Sequence, residues 1–161
     1  MYLGKTLKKN AIEKAGIIHG RANVVLGKMI PSVINSICKS SPRSVFSIFG
    51  ADFQTVNVKD RVIYKSSDAF NGIEYNLSLK GQHQLENSAL AVRSLELLSS
   101  NGFDAVTQKT IKKALKKVFW KGRFDIIHKE PILIFDAAHN TPGIRTLKDT
   151  VLKCFPDKKF G

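Results

Sequence analysis

The fold is decided by the stretch Pro131-Ile132-Leu133-Ile134-Phe135-Asp136-Ala137-Ala138-His139-Asn140-Thr141-Pro142. Its apolar first half predicts a buried strand, and the polar residues that follow place an acid, an imidazole and an amide at the carboxyl end of that strand. Ligands of open α/β sheets bind at this edge. The same residues also suit a strand and an Asn-Thr-Pro turn in which Asp136 and His139 only cap the next helix. The stretch therefore predicts an α/β fold and leaves both interpretations of its polar end open.

A helix is expected after this turn, from Gly143 to Leu152, with Thr141 as its cap and Pro142 at its first position. Upstream, residues 120–123 (Trp-Lys-Gly-Arg) have the composition of a linker, which divides the chain into residues 1–119 and 120–161. A single strand and helix cannot bury both faces of a parallel sheet. We therefore expect an incomplete second domain, and an incomplete first one too, because the chain opens in a polar turn before its first helix.

Residues 1–119 alternate between helix and strand patterns. Apolar residues at helical spacing predict helices at Leu7–Ala15, Val33–Lys39, Leu85–Ser99 and Thr107–Phe119. Runs of β-branched and aromatic residues predict strands at Ile17–Ile18, Ala22–Leu26, Val45–Phe49, Thr55–Val58, Val62–Tyr64 and Ile73–Leu79, with a hairpin turn at Asn71-Gly72. The stripe expected to face inward on the third helix consists of Ala91, Leu95 and Leu98. On the fourth helix it consists of Ile111, Leu115 and Val118, with the lysines outside.

The composition narrows the class of protein. The 161 residues are 43% hydrophobic, which suits a globular core, and no apolar run approaches the roughly 20 residues that a membrane helix needs. Cys38 and Cys154 are far apart and no CxxC occurs, so a reducing, cytoplasmic compartment is the default expectation. The net charge of +13 favours anionic partners such as nucleotides or nucleic acid. A generally Lys-rich composition would produce the same charge.

Five short motifs in order carry a family resemblance. They are Leu3-Gly4-x-Thr6, Glu13-Lys14-Ala15-Gly16-Ile17, Gly81-x-His83-Gln84-x-x-Asn87-x-Ala89-Leu90-Ala91, Trp120-x-Gly122-Arg123 and Asp136-Ala137-Ala138-His139-Asn140-Thr141-Pro142. The series resembles the folylpolyglutamate synthase family, also called the dihydrofolate synthase family, of the Mur ligase superfamily. The resemblance implies a Mur-ligase-like α/β fold, with the end of the central ATP-binding domain in residues 1–119 and the start of a Rossmann-like C-terminal domain in residues 120–161.

The resemblance also implies a reaction. The family's ligases phosphorylate the γ-carboxyl of a folate with ATP, and the amine of L-glutamate then attacks the acyl phosphate. ATP and Mg²⁺ would be the cofactors, folate or dihydropteroate and L-glutamate the substrates, and the full-length enzyme a monomer. The Gly-x-His-Gln-x-x-Asn and Asp-Ala-Ala-His-Asn motifs favour this branch over the cell-wall ligases.

Three polar residues precede or begin the predicted Leu85–Ser99 helix and match the family's ATP-binding motif. His83 and Asn87 are four residues apart and so project from one helix face, and the amide of Asn87 can both donate to and accept from an adenine edge. The resemblance implies that His83, Gln84 and Asn87 bind ATP, with Asn87 at the adenine. Helix capping by His83 or Gln84 is the alternative.

Four further roles follow from the resemblance. Arg123 offers a planar fork for phosphate oxygens, and the family's arginine reaches the nucleotide from the hinge between the domains. Asp136 would bind the ribose hydroxyls and His139 would approach the phosphates. Lys14 would be carbamylated, which turns a cation into an oxygen ligand suited to Mg²⁺. Asn140 is expected to hold the turn rather than to contact the ligand.

The chain departs from the family's pattern at two points. Gly4-Lys5-Thr6 mimics the end of a phosphate loop, G-x-x-x-x-G-K-[ST], but the first glycine of that motif would precede Met1, so we reject this interpretation. Lys121 stands where a proline is usual. A phosphate cradle provides much of the catalysis in phosphoryl transfer. We therefore expect the chain by itself to be an inactive fragment of a ligase.

Three alternatives stay open. The chain could come from another Mur-type ligase. A non-catalytic basic module that binds nucleic acid through residues 109–123 would account for the charge, but it gives no reason for Asn87, Asp136 or His139. A decayed fragment would unfold without cooperativity and would leave the apolar strand Ile132–Phe135 uncovered.

Overall fold

The computed structural model describes residues 7–59 and 61–160, in which helices and short strands alternate. The helices are α1 (Leu7–Ala15), α2 (Pro31–Ser40), α3 (Gln82–Ser100), α4 (Gln108–Lys117) and α5 (Thr141–Cys154). The strands are β1 (Asn23–Leu26), β2 (Val45–Ile48), β3 (Gln54–Val58), β4 (Arg61–Lys65), β5 (Glu74–Tyr75), β6 (Asp125–Lys129) and β7 (Ile132–Phe135). This mixture confirms the predicted α/β class. None of the helices in the described part of the chain has the length and apolarity of a bilayer span.

The strands form three small sheets. β1 and β2 pair in parallel, β3, β4 and β5 form an antiparallel sheet in that order, and β6 pairs antiparallel with β7. A first core is enclosed by α1, α2 and the β1–β2 pair, where Ala11, Ala15, Leu26 and Ile37 are buried. The smallness of the alanines on α1 lets this helix approach α2 closely.

The larger second core lies between the β3–β5 sheet and helices α3 and α4. Its buried residues are Phe53, Val62, Tyr64, Phe70, Ile73, Tyr75, Ala89, Val92 and Ile111. Helix α3 also contacts β1 and α5. It therefore connects both cores to the β6–β7–α5 part of the chain, and its first turn lies where these parts meet.

A buried carboxylate fastens α3 to the β3–β5 sheet. Glu96 is 1% exposed and accepts hydrogen bonds from the Tyr64 hydroxyl (2.7 Å), the Phe70 N–H (2.6 Å) and Arg93 Nη1 (2.8 Å). A carboxylate buried without such partners would strongly destabilise the fold. Burial, and then the hydrogen bond to Glu96, raise the pKa of the Tyr64 phenol. Arg93 is also paired with Asp68.

Two predictions for the strands are wrong. No strand forms at Ile17–Ile18, because the chain turns there and the Ile18 N–H bonds to the Ala15 carbonyl (2.9 Å). The strand predicted at Ile73–Leu79 is reduced to β5 because only its first part pairs with β4. Strand β6 was not predicted. A register irregularity between Ile126 and His128 interrupts the alternation of its side chains between the two faces of the sheet.

Two predictions for the helices also need correction. Of the expected inner stripe of α3, only Leu95 packs against the second core, whereas Ala91 and Leu98 are exposed. The buried face carries Gln84, Ser88, Ala89, Val92, Arg93 and Glu96. Helix α5 begins at Thr141, the residue that was predicted to cap it, and the cap is Asn140, one residue earlier. The inner position of Ile111 on α4 is confirmed.

Candidate nucleotide site between α3 and the β7–α5 turn

The start of α3 and the end of β7 meet at a cavity of about 250 Å³, which we call the polar cavity. His83 lines it from α3, Arg123 from the segment before β6, and Asp136 and His139 from the β7–α5 turn. These four residues come from separate positions in the sequence, and the structure brings them together in one cavity.

A second cavity of about 430 Å³, the apolar cavity, lies next to the first, because His83 and Arg123 line both. Gln84 and Asn87 add amides to its wall. The rest of the lining is largely apolar and consists of Leu77, Leu79, Ala91, Leu115, Val118 and Trp120, with Ser88. Apolar walls with a few placed polar groups are typical of small-molecule sites, and this arrangement suits a flat heterocyclic base.

The polar groups of the apolar cavity are hydrogen-bonded in series, an arrangement that we call the amide relay. Asn87 Nδ2 donates to Gln84 Oε1 (3.2 Å), and Gln84 Nε2 lies 3.0 Å from His83 Nε2. Because an amide nitrogen only donates, His83 Nε2 is the acceptor, which puts the proton of the neutral imidazole on Nδ1. Gln84 is 7% exposed, so the relay is held from inside the fold.

The imidazole of His83 is held in a tight position. Gly81 precedes it with φ = 108°, and a Cβ built there would lie 2.7 Å from His83 Cε1 and 3.0 Å from Thr150 Oγ1. Burial lowers the pKa of His83, against the effect of Asp136, while Arg123 adds to the lowering and Glu86 opposes it. The neutral imidazole is therefore the dominant form near neutral pH.

Asp136 holds the segment before β6 in place and also lines the polar cavity. Its Oδ2 accepts the Phe124 N–H (2.8 Å) and its Oδ1 accepts the Ala138 N–H (2.9 Å). Phe124 has φ = 48°, a conformation that is costly for a non-glycine residue and needs such support. Each carboxylate oxygen has further acceptor capacity, so ribose hydroxyls can still bind Asp136.

The β7–α5 turn presents an imidazole beside a helix start. Asn140 Oδ1 accepts the Gly143 N–H (2.9 Å) and caps α5, as expected for a residue that holds the turn. His139 Nδ1 lies 3.0 Å from the Ala137 carbonyl, which can only accept. In the neutral ring the proton is therefore on Nδ1, and Nε2 stays available to a ligand.

Lys14 lies apart from these residues. It is exposed on α1 and lines neither the polar nor the apolar cavity. Within residues 7–59 and 61–160, no group of three or more His, Cys, Asp or Glu residues is placed to hold a metal ion. The Leu3-Gly4-x-Thr6 motif lies outside the described residues.

Several lining residues had no role in the sequence-based prediction of the site. Among them, Trp120 lines the apolar cavity and Lys80 lines the polar one. An aromatic residue two positions before Gly122, and a lysine directly before Gly81, were the available signals. Neither residue type points to a ligand until the fold shows what it faces.

The fold and the site define a Mur-ligase-like α/β protein, and comparisons with solved structures support this class. An FPGS–AMPPCP complex superimposes with a TM-score of 0.83 at 25% identity and covers 96% of this chain. The folylpolyglutamate synthase of Mycobacterium tuberculosis complexed with ADP superimposes with a TM-score of 0.74 at 26% identity. The Mur-ligase-like fold implied by the motifs is confirmed.

Within this class, the chain is similar to folylpolyglutamate and dihydrofolate synthases, and that resemblance is confirmed. It is 26% identical to the dihydrofolate synthase/folylpolyglutamate synthase of Bacillus subtilis over 98% of its own length. It is also 26% identical to the folylpolyglutamate synthase of Lacticaseibacillus casei over 95% of its length. No family model matches the sequence.

The chain spans well under half of the relatives that it matches. It corresponds to 38% of the Bacillus subtilis protein and 37% of the Lacticaseibacillus casei protein. For the solved structures, the superimposed part is 40% of the FPGS–AMPPCP chain and 35% of the Mycobacterium tuberculosis chain.

Proposed function

We propose that this chain provides the adenosine-binding side of an ATP-dependent ligase that joins L-glutamate to the γ-carboxyl of a folate or of dihydropteroate. The observation that carries the proposal is the pair of adjacent cavities. They bring Asn87 and His83 of α3 together with Arg123 from the segment before β6 and with Asp136 and His139 from the β7–α5 turn. Solved relatives are complexes with AMPPCP or ADP. One complex contains AMPPCP and folate and superimposes with a TM-score of 0.80.

Each side chain has a role that its surroundings allow. The purine enters the apolar cavity against Leu115 and Trp120, and its edge bonds to Asn87. The ribose bonds to Asp136. Arg123 lines both cavities and has no ion-pair partner in the described ranges, so its cation compensates phosphate charge. His139 provides Nε2 at the start of α5, where the positive end of the helix dipole also favours an anion.

Lys14 is the residue that the motifs propose as a protein ligand for Mg²⁺, although it lines neither the polar nor the apolar cavity. Mg²⁺ in nucleotide sites is bound through one or two carboxylates together with phosphate oxygens and water. Lys14 is exposed at the end of α1, where its amine can take up CO₂ and become a carbamate. When bound, the ion would neutralise phosphate charge during transfer.

Catalysis by these 161 residues alone is not expected. They contain no G-x-x-x-x-G-K-[ST] motif, so the backbone cradle that stabilises a transferring phosphoryl group has to come from elsewhere. We expect measurable ATP binding without turnover. An ADP-release assay with folate and L-glutamate tests this, and turnover by the chain alone would contradict it.

Fluorescence gives a direct test of nucleotide binding. Trp120 is the only tryptophan and lines the apolar cavity, so ATP should change its emission. We expect Asn87→Ala and Asp136→Ala each to weaken ATP binding by about tenfold or more, through lost hydrogen bonds to base and ribose.

Two exposed residues away from both cavities serve as matched controls. Asn35→Ala on α2 and Asp157→Ala after α5 remove the same side chains without touching the cavities. They should bind ATP as the parent chain does. Equal affinity in all four variants, or no emission change with ATP, would refute the proposed nucleotide site.

A further inference from the structure

The amide relay has two possible hydrogen-bond directions. In the structure the amide nitrogens of Asn87 and Gln84 both donate toward His83, so His83 Nε2 accepts. Reversal requires both amides to rotate by half a turn and requires His83 Nε2 to donate. A cationic imidazole has protons on both nitrogens. Protonated His83 is therefore compatible only with the reversed direction.

The direction of the relay decides what Asn87 offers to a base. In the observed direction the Asn87 nitrogen is engaged by Gln84, and its Oδ1 has no hydrogen-bond partner in the described part of the chain. That oxygen can accept from the 6-amino group of a purine. In the reversed direction Oδ1 would face Gln84 and the NH₂ group would face the cavity, where it matches a 6-oxo group.

We infer that Gln84 is a specificity-determining, positioning residue that sets the orientation of the Asn87 amide, selects a 6-amino over a 6-oxo purine nucleotide, and couples this choice to the protonation of His83. The inference rests on the proposed function, because it requires the base to lie against Asn87. Gln84 itself is buried and acts through its neighbours. Its direct hydrogen bonds are to His83 and Asn87.

The groups around His83 determine the pH at which the imidazolium loses its proton. Carboxylates near it are Glu86 on α3, Asp136 after β7 and Asp149 on α5. The cations are Lys59, Lys80, Arg123 and Lys153, and the other titratable groups are His139 and Cys154. Burial nevertheless lowers the pKa of His83, so the acceptor form of Nε2 prevails near neutral pH and is lost as the pH falls.

The first experiment examines the relay without any nucleotide. In the ¹⁵N-histidine-labelled chain, long-range ¹H–¹⁵N spectra distinguish a ring protonated on Nδ1 from one protonated on Nε2. We expect neutral His83, assigned by its loss in His83→Gln, to carry its proton on Nδ1. In Gln84→Leu the proton should move largely to Nε2, the form that free imidazole side chains favour. A ring protonated on Nε2 in the parent chain would overturn the inference.

The second experiment compares ATP with inosine triphosphate, which differs from it in having an oxygen at position 6 of the purine. We expect the parent chain to bind ATP about tenfold more tightly at a pH of about 7.5. The ratio should fall toward one at lower pH, with the midpoint of the His83 titration measured in the same spectra.

Two substitutions of Gln84 separate the effect of the Asn87 amide orientation from the effect of His83 protonation. Gln84→Leu releases Asn87, so the ratio of affinities should be near one at every pH. Gln84→Glu has only acceptor oxygens when ionised and still accepts from Asn87 Nδ2, so the preference for ATP should persist without its pH dependence. If Gln84→Leu fails to fold, as judged by circular dichroism, the pH dependence of the affinity ratio in Gln84→Glu still tests the inference.

The outcomes distinguish this inference from the proposed function. ATP binding that depends on Asn87, together with an unchanged affinity ratio and pH profile in the two Gln84 variants, would overturn the relay and leave the nucleotide site in place. Absence of binding by either nucleotide would overturn the proposed function and the base selection with it.

Discussion

At the residue scale, the position of His83 depends on a glycine. Gly81 has φ = 108° and ψ = 148°, a region that side chains with a Cβ rarely adopt. A methyl group there would also press on the imidazole at 2.7 Å. The ring cannot move freely away, because its Nε2 is hydrogen-bonded to Gln84 Nε2.

Substitution of Gly81 by alanine should therefore affect both stability and the relay. We expect Gly81→Ala to lower the free energy of unfolding by about 1–3 kcal/mol, measured by urea denaturation, and to shift the His83 resonances. Gly102→Ala is the control, because Gly102 has φ = 90° but nothing lies within 4 Å of its Cβ position. It should cost stability without moving His83. Unshifted His83 resonances in Gly81→Ala would show that the close approach has no consequence.

Single residues show where sequence-based prediction reached its limit. The polar residues proposed to bind the nucleotide were named from their motifs, because a motif records which side chains are needed at which spacing. Their hydrogen bonds were beyond reach. The bonds from Phe124 and Ala138 to Asp136 depend on how the segment before β6 lies against the end of β7. Burial of Gln84 depends on how α3 lies against the sheet.

At the scale of elements, α3 is fastened to its sheet by hydroxyl groups as well as by apolar contact. Tyr75 of β5 is 4% exposed, and its hydroxyl lies 2.8 Å from Ser88 Oγ. This polar inner face explains why hydrophobic spacing gave the wrong stripe for α3. Helix α4 was predicted correctly because its buried Ile111 stands among lysines, so the contrast between its two faces is large.

Alkaline titration should reveal the burial of Tyr75. Burial raises its pKa to about 12, above the ordinary value of about 10. The folded state thus disfavours the phenolate, so this contribution to stability is complete below about pH 10 and is lost as the pH rises toward 12. The shift corresponds to about 3 kcal/mol. Urea denaturation at a series of pH values measures this loss.

A phenylalanine at this position provides the comparison. In Tyr75→Phe, Ser88 Oγ keeps its hydrogen bond to the Leu85 carbonyl (2.8 Å), so the variant should fold. Its stability should decline less steeply above about pH 10, because the raised pKa of Tyr64 remains as a source of the slope. Parallel pH profiles for the parent chain and Tyr75→Phe would contradict the assignment.

At the scale of the whole molecule, a net charge of +13 can favour ATP binding in two ways. It can attract anions to the surface in general, or individual cations can lie at the binding site. The lysines of α4 are exposed and line neither the polar nor the apolar cavity, whereas Arg123 lines both. The inner side of α4 meets the apolar cavity through Leu115. The charge of this helix is therefore on the face that points away from the site.

This separation predicts how neutralising the charge will act. The triple variant Lys112→Ala, Lys113→Ala and Lys116→Ala removes three positive charges from α4 and should change the affinity for ATP less than about twofold, because exposed charges at a distance are screened by salt. Arg123→Gln removes only one and should weaken ATP binding by about tenfold or more, since a charge-assisted hydrogen bond to phosphate is worth about 1.5–3 kcal/mol. Titrations at about 0.15 M salt measure both. If the triple variant lost ATP as strongly as Arg123→Gln, binding would follow total charge, as in a basic polyanion-binding module, and the cavities would not be the site.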